Sequence, residues 1–582
     1  MSRPQFTALD IETGSADDLY ARMPDPSYVR LTGVGDTAYG GTGHLRPDGS
    51  RVPYVTVSGH FFDFPALDRH CGIPVEETVP YSRDLRVAAF QHDPPTTYET
   101  KSGPGFKRYT MDALAARYLG ESKSDLGQEL AKEYGGWDAI PVDDPRFSAY
   151  LREDLRITSA LDRAVPWDPY EQREAWVCTA TARATLEGMR VDVDGLTARA
   201  RDLAQRAEDG RRLLAERYGF PELNVAGKLA SAPQRTREGK QAFERALTSL
   251  GVDVVSWPRG KDGSLSLGKE VLATVAGALT GHPALAVVEA VQTMNGIRNN
   301  AANVLRCVTP GGRVHPQFQP FQSTGRWSVS EPGLTVLKKG VADSERMFLT
   351  ADGEEDDPDG DVLVSIDADQ IDIRGMAAHS QDPALIALLN DPSRDFHQEI
   401  GDMSGVARKF AKTLDLGWLY GRSARGMAEN TPGVTMDAAN AVTGYMANAF
   451  PGVVAYQRQV RQQGEAGLLL DNGFGRRLRV DPMRAHTQAP AMIGQSTTRE
   501  IIAECLLDLA RTAPDVLRMV RVIVHDEIVA SVPRRQAEEV ARIIQSCMSR
   551  QWAPPGGSVP VNITAGQGKP FVFAYRWGSL YM

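Results

Sequence analysis

The sequence predicts a multidomain chain of mixed α/β and α+β class. Three observations predict it. Residues 1–165 mix short strand-like runs with apolar residues at helical spacing; residues 166–305 turn almost wholly helical; from residue 306, two β-branched runs bracket a cation-rich helical segment. A length of 582 residues leaves room for three or four domains. Apolar residues make up 42% and charged residues 24%, the balance of an ordinary globular protein. There is no run of about 18 apolar residues to span a membrane and no apolar leader at the start, so the reading is a cytoplasmic protein without a membrane partner. Cys71, Cys178, Cys307, Cys505 and Cys547 follow no metal spacing and read as small buried apolar side chains.

In residues 6–13, strand alternation puts Asp10 and Glu12 on one face. Two acids on one face can share a metal ion. Residues 55–63 bring a second strand to another acid, Asp63, and Tyr150 and Asp154 stand one helical turn apart. Residues 108–120 have apolar side chains at helical spacing and end on Gly120, a packing helix. Farther on, residues 171–187 and 195–218 read as helices, followed by breaker-rich stretches around Pro233 and from Pro258 to Gly263.

The acidic run from Glu354 to Asp361 contains Pro358 and Gly360 and reads as a solvated loop. Residues 362–367 then form an apolar strand ending on Asp367. Asp372 is five residues on and would face the other way on a straight strand. A turn through Ala368, Asp369 and Gln370 into a helix starting near Ile371 is therefore predicted. In residues 408–421, Arg408, Lys412, Leu416 and Tyr420 recur every four residues, so two cations, an apolar side chain and a ring share one helical stripe. Such a strip suits a triphosphate and a base; the plainer alternative is an amphipathic helix with a solvated basic edge. Residues 522–530 set His525, Asp526 and Glu527 between two β-branched runs, a hairpin with carboxylates at its tip. A carboxylate from each of two strands suits two metal ions about 4 Å apart, which clamp attacking and leaving oxygens in phosphoryl transfer.

The segments Asp367-x-x-Gln370-Ile371-Asp372-x-Arg374, Arg408-x-x-x-Lys412-x-x-x-Leu416-Gly417-x-x-Tyr420-Gly421 and His525-Asp526-Glu527 resemble motifs A, B and C of the family A DNA polymerases, the bacterial DNA polymerase I type. Asp10 with Glu12, Asp63, and Tyr150-x-x-x-Asp154 resemble the three exonuclease motifs of that family's ribonuclease H-like 3′→5′ proofreading domain. The resemblance spans nearly the whole chain. It implies an exonuclease domain (1–165) followed by a right-hand polymerase: thumb and connecting helices (166–305), palm (306–375 and 481–582) and fingers (376–480). The expectation is a short form without a 5′-nuclease domain before residue 1, an economy similar to phage-encoded polymerases, for which the compartment is the bacterial host cytoplasm.

The activity implied is addition of deoxyribonucleotides to a primer 3′ end by a monomer on primer-template DNA. The resemblance also implies two Mg2+ ions per active site, with Mn2+ able to substitute. Asp367 and Asp526 would hold them in one site, with Glu527 auxiliary; Asp10, Glu12, Asp63 and Asp154 would hold them in the other, where Tyr150 orients the attacking water. Arg408 and Lys412 would bind the β- and γ-phosphates, Lys412 also serving as an acid toward pyrophosphate. Leu416, Tyr420, Asp372, Gln370 and His397 would border the nucleotide. Arg326, in Ser323-Thr324-Gly325-Arg326-Trp327-Ser328, would reach the primer-terminal minor groove, where acceptors occur on every base pair, and Gln495 and His525 would touch DNA. The alternative for His397 is an exposed histidine at a helix start, and Trp327 reads as a core residue. The Arg476-Arg477-Leu478-Arg479 run is either a template contact or a solvated strand edge. A net charge of −9 does not decide against a DNA partner, because the local field of the groove governs binding.

Three positions depart from the family pattern. No Asn precedes Asp63 in Gly59-His60-Phe61-Phe62-Asp63, which leaves open a vestigial exonuclease fold kept as a structural module. Asp372 stands where Glu is usual, which predicts looser sugar discrimination. Leu416 replaces an aromatic residue, which puts nucleotide-analogue selectivity in doubt.

Overall fold

The structure, a computed structural model, describes residues 4–15, 19–42, 45, 53–96, 109–223, 227–260, 262–342, 344–431 and 433–582. The chain forms two compact units, Met1–Val191 with Cys307–Met582, and Asp192–Arg306.

In the first unit, strands β1 (Thr7–Thr13), β2 (Val29–Val34), β3 (Thr37–Gly40), β4 (Tyr54–Thr56) and β5 (Arg83–Asp84) form a sheet in the order β3-β2-β1-β4-β5. β1 runs antiparallel to β2 and parallel to β4. The second strand predicted to end on Asp63 stops at Thr56. Asp63 instead opens helix α1 (Asp63–Cys71), after a turn in which Phe61 and Phe62 donate to the Ser58 carbonyl. Helix α2 (Leu85–His92) is N-capped by Asp84, and helix α3 (Pro145–Ala164) by Asp144, with Pro145 at the first helical position. α3 lies on β1 and buries Phe147, Leu151, Leu155, Ile157 and Leu161. The packing helix read over 108–120 is Met111–Tyr118, capped by Thr110; residue 108 lies outside the described residues.

Helix α4 (Tyr170–Glu187) also belongs to this unit, and the second unit opens at Asp192. A buried ionic network ties this helix to the rest of the unit. Glu174 on α4 pairs with Arg476 (3.1 Å) and Arg499, while Arg476 also reaches Glu500 (2.8 Å). Removing one partner from such a network would strand a charge in the interior, at a cost of about 3–5 kcal/mol. Arg476 is 2% exposed, so it is neither the template contact nor the solvated edge that its basic run suggests. Arg477 and Arg479 are tied instead to Asp168 and Asp93, each at 2.9 Å.

The second unit, taken by itself, packs helices Val193–Tyr218, Arg237–Ser249, Lys269–Ala278 and Leu285–Gly296 around Leu214, Phe243, Leu247, Trp257, Val288 and Val291. Trp257 donates its Nε1–H to the Ser266 carbonyl (3.0 Å), satisfying its polar edge inside that core.

Back in the first unit, β6 (Asp361–Asp367), β7 (Val520–Val524), β8 (Glu527–Pro533) and β9 (Phe573–Ala574) form an antiparallel sheet in the order β7-β8-β6-β9. β6 and β8 stay in unbroken register from Asp361 opposite Pro533 to Asp367 opposite Glu527. The acidic loop before β6 is exposed but not free. Glu354 pairs with Arg190, Glu355 with Arg576 and Asp359 with Arg535. Helices α5 (Ile371–Ser380), α6 (Phe396–Ser404), α7 (Arg408–Leu419) and α8 (Ala485–Thr512) complete the surroundings of this sheet, with α5 packed on both α7 and α8.

Candidate active sites

Two clusters of carboxylates emerge. In the first, Asp10 and Glu12 come from β1, and Asp154 from α3; one oxygen of each lies within 4.8 Å of the others. Asp63, at the first turn of α1, adjoins them and is 4% exposed. Burial and then Asp154 push Asp10 up to about 7, against the pull of Lys123. Burial and Asp10 likewise drive Glu12 and Asp63 well above the usual carboxylate range. These are negative groups short of compensating charge.

Asp63 Oδ2 and Asp154 Oδ1 are buried with no hydrogen-bond partner among the described residues. An all-oxygen donor set with lone pairs to spare fits a hard divalent cation such as Mg2+ or Mn2+. Tyr150, one turn before Asp154, is 9% exposed. Sequence reasoning missed Lys123, a lone cation in an irregular stretch, whose Nζ donates to Tyr150 Oη (2.9 Å) and to Asp154 Oδ2 (2.6 Å). The missing Asn before Asp63 also has a structural counterpart: His60 is buried, and its Nε2 lies 2.9 Å from Ser82 Oγ.

The second cluster sits at the end of the β6–β8 ladder. Strands β7 and β8 are joined by a two-residue turn, His525-Asp526, with Val524 opposite Glu527. His525 has φ 56°, a left-handed conformation that this tight hairpin requires of its first turn residue and that costs a non-glycine residue about 1–2 kcal/mol. The Ala368 N–H donates to the Asp526 carbonyl (3.0 Å), stitching the strand after Asp367 to the hairpin tip. Burial, then Asp367 and Asp372, push the Asp526 carboxyl up to about 7. Burial also raises Asp367, opposed by Lys339, whose Nζ is 3.0 Å from Asp367 Oδ2.

The chain turns at Gln370 (φ 51°) and α5 begins at Ile371, where the sequence predicts it. That turn aims Asp372 at Arg326 Nη2 (3.2 Å) and Thr498 Oγ1 (2.7 Å). Arg374 of the same motif is a buried brace: it donates to the carbonyls of Asp369 (3.0 Å), Leu389 (2.8 Å) and Asn562 (2.5 Å). Arg326 is itself held from both sides. Trp327 is buried under the Arg499 guanidinium (4.5 Å), and Gly325 packs so tightly on Arg476 that a Cβ there would fall 2.6 Å from its Cδ.

On α7, Arg408 and Lys412 are exposed and Leu416 is half-buried; Tyr420, the capping residue, is half-buried too. Tyr420 lies beside Asp372, and burial followed by that carboxylate raises its phenol pKa. α8 lets the ring in at Gly494, where a Cβ would fall 2.9 Å from Tyr420 Cε1. The structure thus brings the Tyr420 end of the stripe to the acids. Arg408 stands about 18 Å from Tyr420 along the helix axis, paired with Asp395 (2.7 Å). His397 is not the exposed histidine of the alternative reading. It is 4% exposed, its Nδ1 2.6 Å from Asp415 Oδ2 on α7. Gln495 lies half-exposed on α8.

A family model described as "DNA polymerase family A" matches residues 240–572. The DNA polymerase of Mycobacterium phage D29 is 27% identical over 554 residues, which cover 90% of this chain and 84% of that protein. The thermostable DNA polymerase I of Thermus aquaticus is 25% identical over 485 residues, covering 80% of this chain and 55% of that protein. Among solved structures, the POL domain of Pol1 from M. smegmatis, in complex with DNA primer-template and dNTP, aligns with a TM-score of 0.70 at 19% identity, over 99% of this chain and 96% of that one. At that identity the likeness is one of fold.

Proposed function

The chain belongs to DNA polymerase family A, and from that premise we propose that it extends a primer 3′ end with deoxyribonucleotides at the β6–β8 cluster and trims that end 3′→5′ at the β1–α3 cluster. The observation that supports the first activity most is the register of β6 on β8, which leaves Asp367 opposite Glu527 and next to Asp526 at the open end of the sheet. Asp367 and Asp526 would hold divalent ions there, and Asp10, Glu12, Asp63 and Asp154 in the other site; such ions, when bound, supply Lewis-acid charge to attacking and leaving oxygens.

The chain's own side chains do the rest. Arg408 and Lys412, exposed on α7, take the triphosphate, and Lys412 gives a proton to the departing pyrophosphate. Tyr420 and Asp372 form one wall against the sugar and base, with Gln370 and Leu416 bordering it. Asp372 is already engaged by Arg326 and Thr498, so the wall is rigid before nucleotide arrives. Arg326 reads the minor groove at the primer end, Gln495 and His525 touch the DNA, and buried His397 steadies α7 through Asp415. In the trimming site, Lys123 ties the Tyr150 hydroxyl to Asp154, leaving Tyr150 to orient the attacking water. DNA reaches both sites through phosphate contacts that carry no sequence preference.

Primer extension with a divalent ion, supplying deoxyribonucleotides, ribonucleotides or neither, tests this reading. Template-dependent extension with deoxyribonucleotides and shortening of the primer without nucleotides are the expected results. A second reading, extension without trimming from a vestigial N-terminal site, is favoured only by the altered approach to Asp63; it predicts no difference between the parent chain and Asp10→Ala on a mismatched primer.

A further inference from the structure

Residues 573–582 lie beyond the family-model match, yet they return to the polymerase carboxylates. β9 pairs with β6, Ala574 opposite Leu363, and the Ala351 N–H donates to the Tyr575 carbonyl (2.8 Å). The turn Trp577–Tyr581 follows. Trp577 is fully buried with the Arg346 guanidinium 3.9 Å over its ring, and its Nε1–H donates to Tyr581 Oη (2.6 Å). The Tyr581 hydroxyl in turn donates to Glu527 Oε1, the oxygen that also accepts from Ser365 Oγ. The other oxygen, Oε2, faces Lys339 Nζ (3.5 Å), and that ammonium rests 4.5 Å over the Tyr581 ring while reaching Asp367 Oδ2 (3.0 Å).

A carboxylate offers about four lone-pair positions. On Glu527, both positions of Oε1 are taken by hydroxyl donors from its own sheet and from the 577–581 turn, and Oε2 is opposite an ammonium. We propose that Tyr581 is a positioning residue of the polymerase site: its hydroxyl locks Glu527 toward Ser365 and Lys339 and so keeps that carboxylate out of the metal-ligand set formed by Asp367 and Asp526. Glu527 then serves as the anchor for Lys339, the cation that answers Asp367. The inference rests on the polymerase reading above.

The test uses the full chain with Asp10→Ala and Asp154→Ala, so that metal binding reports the polymerase cluster. Tyr581→Phe keeps the ring under Lys339 and removes the hydroxyl, which both donates to Glu527 and accepts from Trp577 Nε1. Mn2+ binding without nucleotide, followed by electron paramagnetic resonance of the free ion, should tighten about tenfold, the scale of one hydrogen bond to a charged group. The Mg2+ concentration for half-maximal primer extension should fall in step. Neither should change when Tyr581→Phe is made on a Glu527→Gln background, because the effect runs through that carboxylate. Ser365→Ala, which removes the other donor to Oε1, should move Mn2+ binding the same way and covers the case of a Tyr581 variant that fails to fold. Unchanged Mn2+ binding in both single variants, or an equal shift on the Glu527→Gln background, overturns the proposal. A parent chain that binds Mn2+ but extends no primer overturns the polymerase reading instead.

Discussion

The two carboxylate clusters solve the same electrostatic problem in opposite ways. In the N-terminal one, three oxygens from Asp10, Glu12 and Asp154 crowd within 4.8 Å, and among the described residues one ammonium, Lys123, answers them. In the other, the acids are spread along a strand end, a hairpin tip and a helix start, and three of the four have their own answer: Lys339 for Asp367, Arg326 and Thr498 for Asp372, Ser365 and Tyr581 for Glu527. Among the described residues, Asp526 has no such partner at its carboxyl, and it is the one driven up to about 7. The difference teaches that a crowded cluster depends on an added cation for its balance, whereas a spread cluster is largely balanced by the protein and leaves one acid in want.

The largest expected effect separates the two sites. Asp526→Ala should lower primer extension by about 10³-fold or more while leaving trimming of a mismatched primer intact, and Asp10→Ala should do the reverse, since each removes charge stabilisation worth several kcal/mol at one site only. Parallel assays of both variants check it; loss of both activities in either variant would break the comparison.

Stability against pH comes next. The Asp10 and Asp526 carboxyls are pushed up to about 7 in the folded chain from an ordinary 3.8, so between about pH 4 and 7 the folded chain keeps protons that the unfolded chain has released. Their contribution is therefore full at the acid end, is lost as pH rises toward 7, and stays lost above it. In chelator, the thermal midpoint should fall between pH 5 and 8 on their account by about 2–4 °C. Asp10→Asn should flatten that slope more than Asp526→Asn, because the crowded cluster has less internal compensation, and Mn2+ should restore the lost midpoint at pH 8. Equal slopes for the two variants in calorimetry would mean that crowding is not the cause.

A smaller effect concerns the sugar. Asp372→Glu adds one methylene toward the nucleotide and should raise the preference for deoxyribonucleotides over ribonucleotides by about 10-fold, the worth of one misfitting group. Identical incorporation ratios in competition assays would remove Asp372 from the nucleotide wall. Of similar size is Lys123→Met, which should slow trimming by about 10-fold with extension unchanged; a time course on single-stranded DNA measures it.

Much of this was legible in the sequence because it rests on local periodicity. The helix at Ile371, the hairpin tip at His525-Asp526, the shared strand face of Asp10 and Glu12 and the four-residue stripe on α7 all follow from how a strand or a helix spaces its side chains. Asp63 was misplaced on a strand because the turn from Thr56 to Phe62 is made by Ser58 at φ 85°, a conformation that the residue type does not advertise. Arg476 looked like a surface cation because its run is basic. Its burial depends on Glu174, which lies 302 residues away in sequence.

By itself, then, the chain's order of residues determined which carboxylates would stand at the ends of strands and helices, because backbone geometry is set over a few neighbouring positions. Only the tertiary structure decided which cation or hydroxyl meets each of them: Lys123 at Asp154, Lys339 at Asp367, Tyr581 at Glu527, Arg499 at Glu174. A lone polar side chain carries no periodic signal, and its partner is chosen by packing between segments that the sequence keeps far apart.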